Sequence, residues 1–281
     1  DGSKTEETRF LRAPANLSEV KVELVELFAT VLDGSGHPVQ GLAAPDFTVL
    51  ENGKPQKLAR FEAVGNLPLT LGITLDTSFS MASSLTEAKQ AAAGFVKNLL
   101  TPRDRCFTLS FATRPELLLP PIDDPEAVAQ SLDGLQAFGR TALYDAILAS
   151  LYYFRAQKGQ RALVLLTDGE DSGSGTTWED ALEYARRSGV AIYPIGLGLS
   201  ELKPAARAKL VALAEATGGR HFFIDRATEL AGVYDRIEEE LRSRYLLTFH
   251  SDEPADKNGF RDLEVKVKRG LKARVSRGIY P

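Results

Sequence analysis

Apolar and small polar positions alternate through 69–76, where Leu69, Leu71, Ile73 and Leu75 are separated by Thr70, Gly72 and Thr74. A period of two predicts a β-strand with one bulky face and one small enough for a helix to pack closely. Upstream, Val20, Val22 and Leu24 alternate with Lys21 and Glu23. The phase then slips at Val25 and continues through Leu27, Ala29 and Val31, which predicts a bulge or a strand that changes sheets. Strands are also predicted at 47–50 and 58–64, with Asn52-Gly53 between them as a hairpin signal. The first 65 or so residues therefore read as all-β.

Beyond Leu67 the period changes. Leu85, Ala88, Ala92, Phe95, Val96, Leu99 and Leu100 share one helical face, and Thr101-Pro102 ends that helix. Short strands are predicted at 106–112 and 116–119, then a loop at 120–125 and a helix from Pro125 to about 135. A helix follows at 142–157. The near-continuous apolar run at 161–167 predicts a strand covered on both faces. Further elements are a helix stopped by Gly189, a strand at 190–195, and a helix between Pro204 and Gly218-Gly219. A strand at 221–224 and a last helix at 228–242 complete the series. Strand and helix alternate, which predicts an α/β fold: a doubly wound, mostly parallel sheet. After Arg244 strands return, at 245–249 and around 263–267 and 271–275. The β-rich ends, 1–65 and 244–281, are each small to stand alone. They are expected to form one β-sandwich-like domain, with the α/β domain, 66–243, inserted between them.

Composition narrows the function classes only a little. Among 281 residues 43% are hydrophobic and 26% charged, which is globular usage; the net charge of -4 gives no reason to expect nucleic acid as the main partner. Lys266, Lys268 and Arg274 alternate with apolar residues and read as a solvated strand face. The single cysteine, Cys106, allows no intrachain disulfide and is expected to be buried. No apolar run is long enough to span a bilayer. The chain opens on Asp1 with no signal peptide read in it, as a processed secreted protein or any trimmed chain would.

The chemistry gathers at strand ends. Asp76 is followed at every second residue by a hydroxyl, Ser78 and then Ser80, with no Gly or Pro between. Oxygens at alternate loop positions suit a hard cation. A second acid, Asp168, ends the apolar strand at 161–167. Ligands of open parallel sheets gather outside the carboxyl ends of the strands. If these two strands are neighbours, the acids share a crevice and repel unless a cation joins them. Ser78, Ser80 and Thr141 would add neutral oxygens. An all-oxygen set favours Mg²⁺, with Mn²⁺ or Ca²⁺ as substitutes. His221 and His250 fall in strand patterns and read as structural.

Asp76-Thr77-Ser78-Phe79-Ser80, Gly139-Arg140-Thr141 and Thr167-Asp168-Gly169 together resemble the metal-ion-dependent adhesion site of von Willebrand factor type A domains. The resemblance covers about 67–242. It implies an antiparallel edge strand, here 116–119, direct metal contacts from Ser78, Ser80 and Thr141, and contacts from Asp76 and Asp168 that often run through water. The flanking strands are similar to those of bacterial secreted proteins of this type, and the insertion resembles the integrin β-subunit headpiece. The expected function is a divalent-cation-dependent protein-binding or adhesion module, not an enzyme. Its partner is a protein that supplies an Asp or Glu carboxylate, and its location is secreted or extracytoplasmic. Phe79 and Trp178 are read equally as partner contacts and as packed side chains; Glu170, Asp171 and Asp145 read as exposed loop acids and an early helix residue. Two alternatives stay open: a metal-assisted hydrolase or phosphoryl-transfer enzyme, and a structural subunit of a larger assembly. Against the enzyme, the chain has no G-x-x-x-x-G-K-[ST] loop, no G-x-G-x-x-G after the first α/β strand and no G-x-S-x-G elbow.

Overall fold

The alternation at 69–76 forms the buried strand on which the molecule is built. The computed structural model describes residues 23–199, 201, 203–251, 261–268, 270–275 and 278–279. In chain order the strands are β1 (Glu23–Leu32), β2 (Phe47–Glu51), β3 (Lys54–Gln56), β4 (Leu58–Ala63), β5 (Leu69–Asp76), β6 (Arg105–Phe111), β7 (Pro115–Ile122) and β8 (Gln160–Thr167). They continue as β9 (Ala191–Leu197), β10 (Phe222–Ile224), β11 (Tyr245–Ser251), β12 (Arg261–Val267), β13 (Lys272–Arg274) and β14 (Gly278–Ile279). The helices are α1 (Leu85–Leu99), α2 (Pro125–Ser131), α3 (Leu143–Tyr152), α4 (Trp178–Ser188), α5 (Pro204–Thr217) and α6 (Leu230–Arg242).

The central sheet has the order β10-β9-β8-β5-β6-β7, parallel throughout except for β7, which runs antiparallel to β6. The α/β expectation is met. From β5 the chain builds outward through β6 and β7, then returns to the other side of β5 with β8. The seam between β5 and β8 is thus the point where the winding reverses. All eight residues of β5 are buried. Leu69, Leu71, Ile73 and Leu75 join one apolar cluster with α1, α2 and α6, where Phe95 stacks on Tyr234 at 4.5 Å. The opposite face meets α3, α4 and α5. There Thr74 bonds Ser150 of α3 at 2.7 Å, and a Cβ on Gly72 would lie 2.5 Å from Phe107 Cζ. The small face predicted for β5 is where the sheet takes its bulky neighbours.

The chain ends supply two further sheets, β13-β1-β11-β4 and β14-β12-β2-β3. One apolar cluster draws on both. In it Phe47 of β2 lies 5.3 Å from Phe61 of β4 and 5.1 Å from Tyr245 of β11. These sheets are tied to the α/β part around Arg244 and Glu240. Val64 N–H donates to the Arg244 carbonyl at 2.8 Å, and the Arg244 guanidinium reaches Tyr193 Oη of β9 at 2.6 Å and Thr30 Oγ1 of β1 at 3.3 Å. Glu240 of α6 is fully buried and paired with Arg220 and with Arg274 of β13.

Several boundaries differ from the sequence expectation. No bulge interrupts the described part of β1, whose register with β11 runs unbroken from Glu23 to Ala29 before Thr30–Leu32 pairs with β13. Leu24 simply points outward, 56% exposed; Val20 and Val22 lie outside the described residues. The Asn52-Gly53 turn, with φ of 49° and 78°, joins β2 to the short β3, while β4 crosses to the other sheet to pair with β11. β7 runs through Pro120 and Pro121 to Ile122, which an irregular edge strand tolerates because those positions need donate no ladder hydrogen bond. α3 ends at Tyr152 rather than 157; the apolar pattern persisted because Phe154, just beyond it, is also buried.

Candidate metal centre

β5 and β8 are paired neighbours, with Leu75 opposite Leu166, so both acids come to the same end of the sheet. Asp76 forms the floor of the site and is fully buried. Its Oδ1 accepts the Ser78 N–H at 2.8 Å, and its Oδ2 accepts the Thr167 hydroxyl at 2.6 Å. Ser78 and Ser80 hydroxyls meet at 3.1 Å, and Ser80 Oγ donates to Asp168 Oδ1 at 2.9 Å. Four of the five predicted residues therefore form one continuous run of contacts. The site opens outward at Ser80, which is exposed, and at Asp168, which is half-buried.

Thr141 approaches from a different loop. It is 6% exposed, and a Cβ on Gly169 would sit 3.7 Å from its Oγ1. Its backbone is held from both sides. Thr141 N–H donates to Ser172 Oγ at 3.0 Å, and its carbonyl accepts from Ser172 and Gly173 N–H. Among the described residues its hydroxyl has no hydrogen-bond partner. The loop before it is stitched to the first one: Phe79 N–H donates to the Gly139 carbonyl at 3.2 Å, and Phe138 N–H to the Thr77 carbonyl at 2.8 Å. Gly139 has φ of +70°, a conformation that side chains with a Cβ rarely adopt.

The electrostatics show strain in the carboxylate pair. Burial raises Asp76 from 3.8 to about 6, against hydrogen bonds from Ser78 and Thr167 that lower it; the charge of Asp168 raises it further. Burial also raises Asp168, opposed by the Ser80 hydroxyl and by Lys203. A dication held between them would offset both penalties. Among the described residues no three His, Cys, Asp or Glu side chains gather to hold a metal. The donor set here is instead two acids and three hydroxyls, which fits a hard dication such as Mg²⁺.

The remaining candidates sort by geometry. Phe79 is 74% exposed and Phe138 56%, so two aromatic rings stand on the loops that carry Ser78, Ser80 and Thr141. Trp178 packs on Tyr144 at 5.7 Å, half-buried against the α3–α5 cluster. Asp145 accepts the N–H groups of Gly175 and Thr176, and Asp171 accepts from Ser174 and Tyr144, so both brace the loop behind Thr141. Thr167, which the sequence names only as part of a motif and assigns no role, anchors the second oxygen of Asp76. A hydroxyl at the last strand position, directly before the second acid, was the available signal.

A doubly wound sheet with acids and hydroxyls at its switch point defines the class. Residues 71–170 match the family model for the von Willebrand factor type A domain. Over that stretch the chain is similar to such a domain. It is 31% identical over 86 residues to mouse integrin alpha-M, a stretch that covers 30% of this chain and 8% of that protein. It spans 61% of a second curated relative at 26% identity. Among solved structures it is similar to the vWF domain of the type V pili tip protein Mfa5 from Porphyromonas gingivalis, with a TM-score of 0.54 and 14% identity over 62% of this chain and 94% of that one. It is also similar to proximal thread matrix protein 1 from the mussel byssus, solved with a zinc-occupied MIDAS motif. That match has a TM-score of 0.56 and 18% identity over 68% of this chain and 49% of that one. Domains of this family often mediate metal-dependent protein binding. Among the described residues no helix is long and apolar enough to cross a membrane.

Proposed function

We propose that this chain is a divalent-cation-dependent protein-binding module, not an enzyme, and that it takes an Asp or Glu carboxylate of a protein partner. Asp76, Ser78, Ser80, Thr141 and Asp168 would hold the cation, Mg²⁺ in this reading, with Mn²⁺ or Ca²⁺ able to replace it. When bound, the cation supplies an electrophilic centre for the partner's carboxylate. The observation that carries the reading is the unbroken run Asp76–Ser78–Ser80–Asp168, with the partnerless hydroxyl of Thr141 beside it. Thr167 and the Ser78 N–H fix the orientation of Asp76. Phe79 and Phe138 would give apolar contact beside the carboxylate, so a partner segment with an apolar residue next to its acid fits best. Exposed aromatics in such a place give contact area at low entropic cost. The location that suits this role is extracytoplasmic, as in the pilus and byssus proteins it is similar to.

The domain division is proposed with it: the terminal segments, 1–65 and 244–281, form one β-sandwich-like unit and 66–243 is inserted in it. The apolar cluster shared by the two terminal sheets and the Val64–Arg244 hydrogen bond support this reading. The test of function is a pull-down from an extracellular fraction with magnesium or with chelator, in wild type and Asp168→Ala. Capture that needs both magnesium and Asp168 is expected. Capture insensitive to both, or turnover of phosphate or ester substrates by the pure protein, would overturn the proposal.

A further inference from the structure

The far end of the central sheet carries a second unassigned feature. Where β8 begins, the strands of the terminal sheet come close to the sheet's lower edge and enclose an open cleft of about 540 Å³. Its walls include Leu24 and Phe28 of β1, Leu246 of β11, and the cations Lys158 and Arg161, with Glu26 as the one acid among the described residues. Two smaller cavities, of about 270 and 30 Å³, also have Arg161 as a wall. Eight residues of strand separate this cleft from Asp76, about 23 Å of extended chain.

Arg161 is the odd member of its surroundings. It is half-buried, with its guanidinium beside Gly189, where a Cβ would lie 2.7 Å from Nη2. Among the described residues it has no hydrogen bond and no carboxylate within 4.0 Å; Glu26 acts on it only at longer range. The neighbouring arginines are all engaged. Arg244 bonds Tyr193, Arg242 bonds Asp104, and Arg220 and Arg274 share Glu240. Arg60 and Arg187, on the rim of the cleft, pair with Glu62 and Glu183. A partly desolvated guanidinium without a partner is costly, and a planar anion is the group that its fork fits. Burial also pulls its basicity down.

We propose that this cleft binds a small amphiphilic carboxylate, with Arg161 gripping the carboxylate while Leu24, Phe28 and Leu246 cover the apolar body. The volume lies in the range of small-molecule sites. An inorganic anion would leave the apolar wall unused, and a neutral apolar molecule would leave Arg161 unpaired.

The probe is octanoate, titrated by calorimetry into the full chain in chelator, so that the metal centre takes no part. One saturable site is expected, with amide shifts in nitrogen-edited NMR spectra centred on Gly159 and Gly189. Octanol and inorganic phosphate should each bind about tenfold more weakly or not at all, since each lacks one half of the recognition. Arg161→Met should weaken octanoate by about tenfold or more. Leu24→Glu, on the exposed rim, should do the same without touching the core. Equal binding of octanol or phosphate, full affinity in folded Arg161→Met or Leu24→Glu, or shifts centred elsewhere would each overturn the proposal.

Discussion

Asp76→Asn separates the stability of the metal-free protein from its capacity to hold a cation. Burial holds the Asp76 carboxyl at about 6, against 3.8 when unfolded. A group whose folded value is raised contributes stability that is full below its unfolded value and lost as pH rises through the folded one. In chelator, the wild type should therefore weaken between about pH 4 and pH 7. A gap of that size is worth about 3 kcal/mol. Asparagine removes the charge and keeps an oxygen for the Ser78 N–H. Its amide nitrogen then faces Thr167 Oγ1, which must turn its proton away from its present bond at a cost of about 1 kcal/mol. The variant should thus be more stable than wild type by about 2 kcal/mol at pH 8 in chelator, with the advantage gone by pH 4. Magnesium at about a hundred times its dissociation constant should raise the wild type by about 2.7 kcal/mol and leave the variant unchanged. Urea unfolding across this pH range, with magnesium and with chelator, measures all four quantities. A variant less stable than wild type at pH 8 in chelator, or one stabilised equally by magnesium, would refute the reasoning.

Asp104 has the opposite sign. Burial would raise it, but Arg242, the N–H groups of Thr101 and Leu69, and the Thr101 hydroxyl together hold it below the usual carboxylate range. Its stabilisation is full above its unfolded value and is lost as pH falls through the lower folded one. Asp104→Ala leaves the Leu69 N–H and Arg242 without this partner and should cost about 3 kcal/mol in urea unfolding at neutral pH; a loss under about 1 kcal/mol would contradict this. Phe79→Ala with Phe138→Ala should change stability by less than about 0.5 kcal/mol yet weaken magnesium-dependent partner capture about tenfold. Unchanged capture in a pull-down would show that these rings do not touch the partner.

The central strand and both acids were legible because each rests on a local rule. Period two gives β5, and an acid at the end of an apolar run gives Asp76 and Asp168. Their pairing was conditional on strand order, which the β5–β8 register supplies. The path of β4 was not legible. Asn52-Gly53 signals a hairpin, but nothing local says that the returning strand is only the three residues Lys54–Gln56. Phe79 was undecided because its neighbours in sequence do not determine which way a short 3-10 turn faces; the turn Phe79–Ser83 buries Met81 and leaves Phe79 out. Phe138 carries no local signal, because it sits in a stretch with no regular period. The Arg161 cleft was invisible for a different reason. It is assembled from β1, β11 and the start of β8, segments that only the third dimension brings together.

The chain leaves the first terminal sheet at Ala63 and returns to it at Tyr245, residues that face each other across the β4–β11 pair. A pull applied at the distal loops is therefore delivered to two adjacent strands at once. β11 lies inside that sheet, and its other edge is laced to β1 from Glu23 to Ala29. Traction along this axis slides β11 lengthwise against β1, so the rungs of the ladder are loaded together instead of peeling open singly. Ala63 and Tyr245, side by side, thus make a two-stranded junction that shares a load instead of concentrating it on one strand.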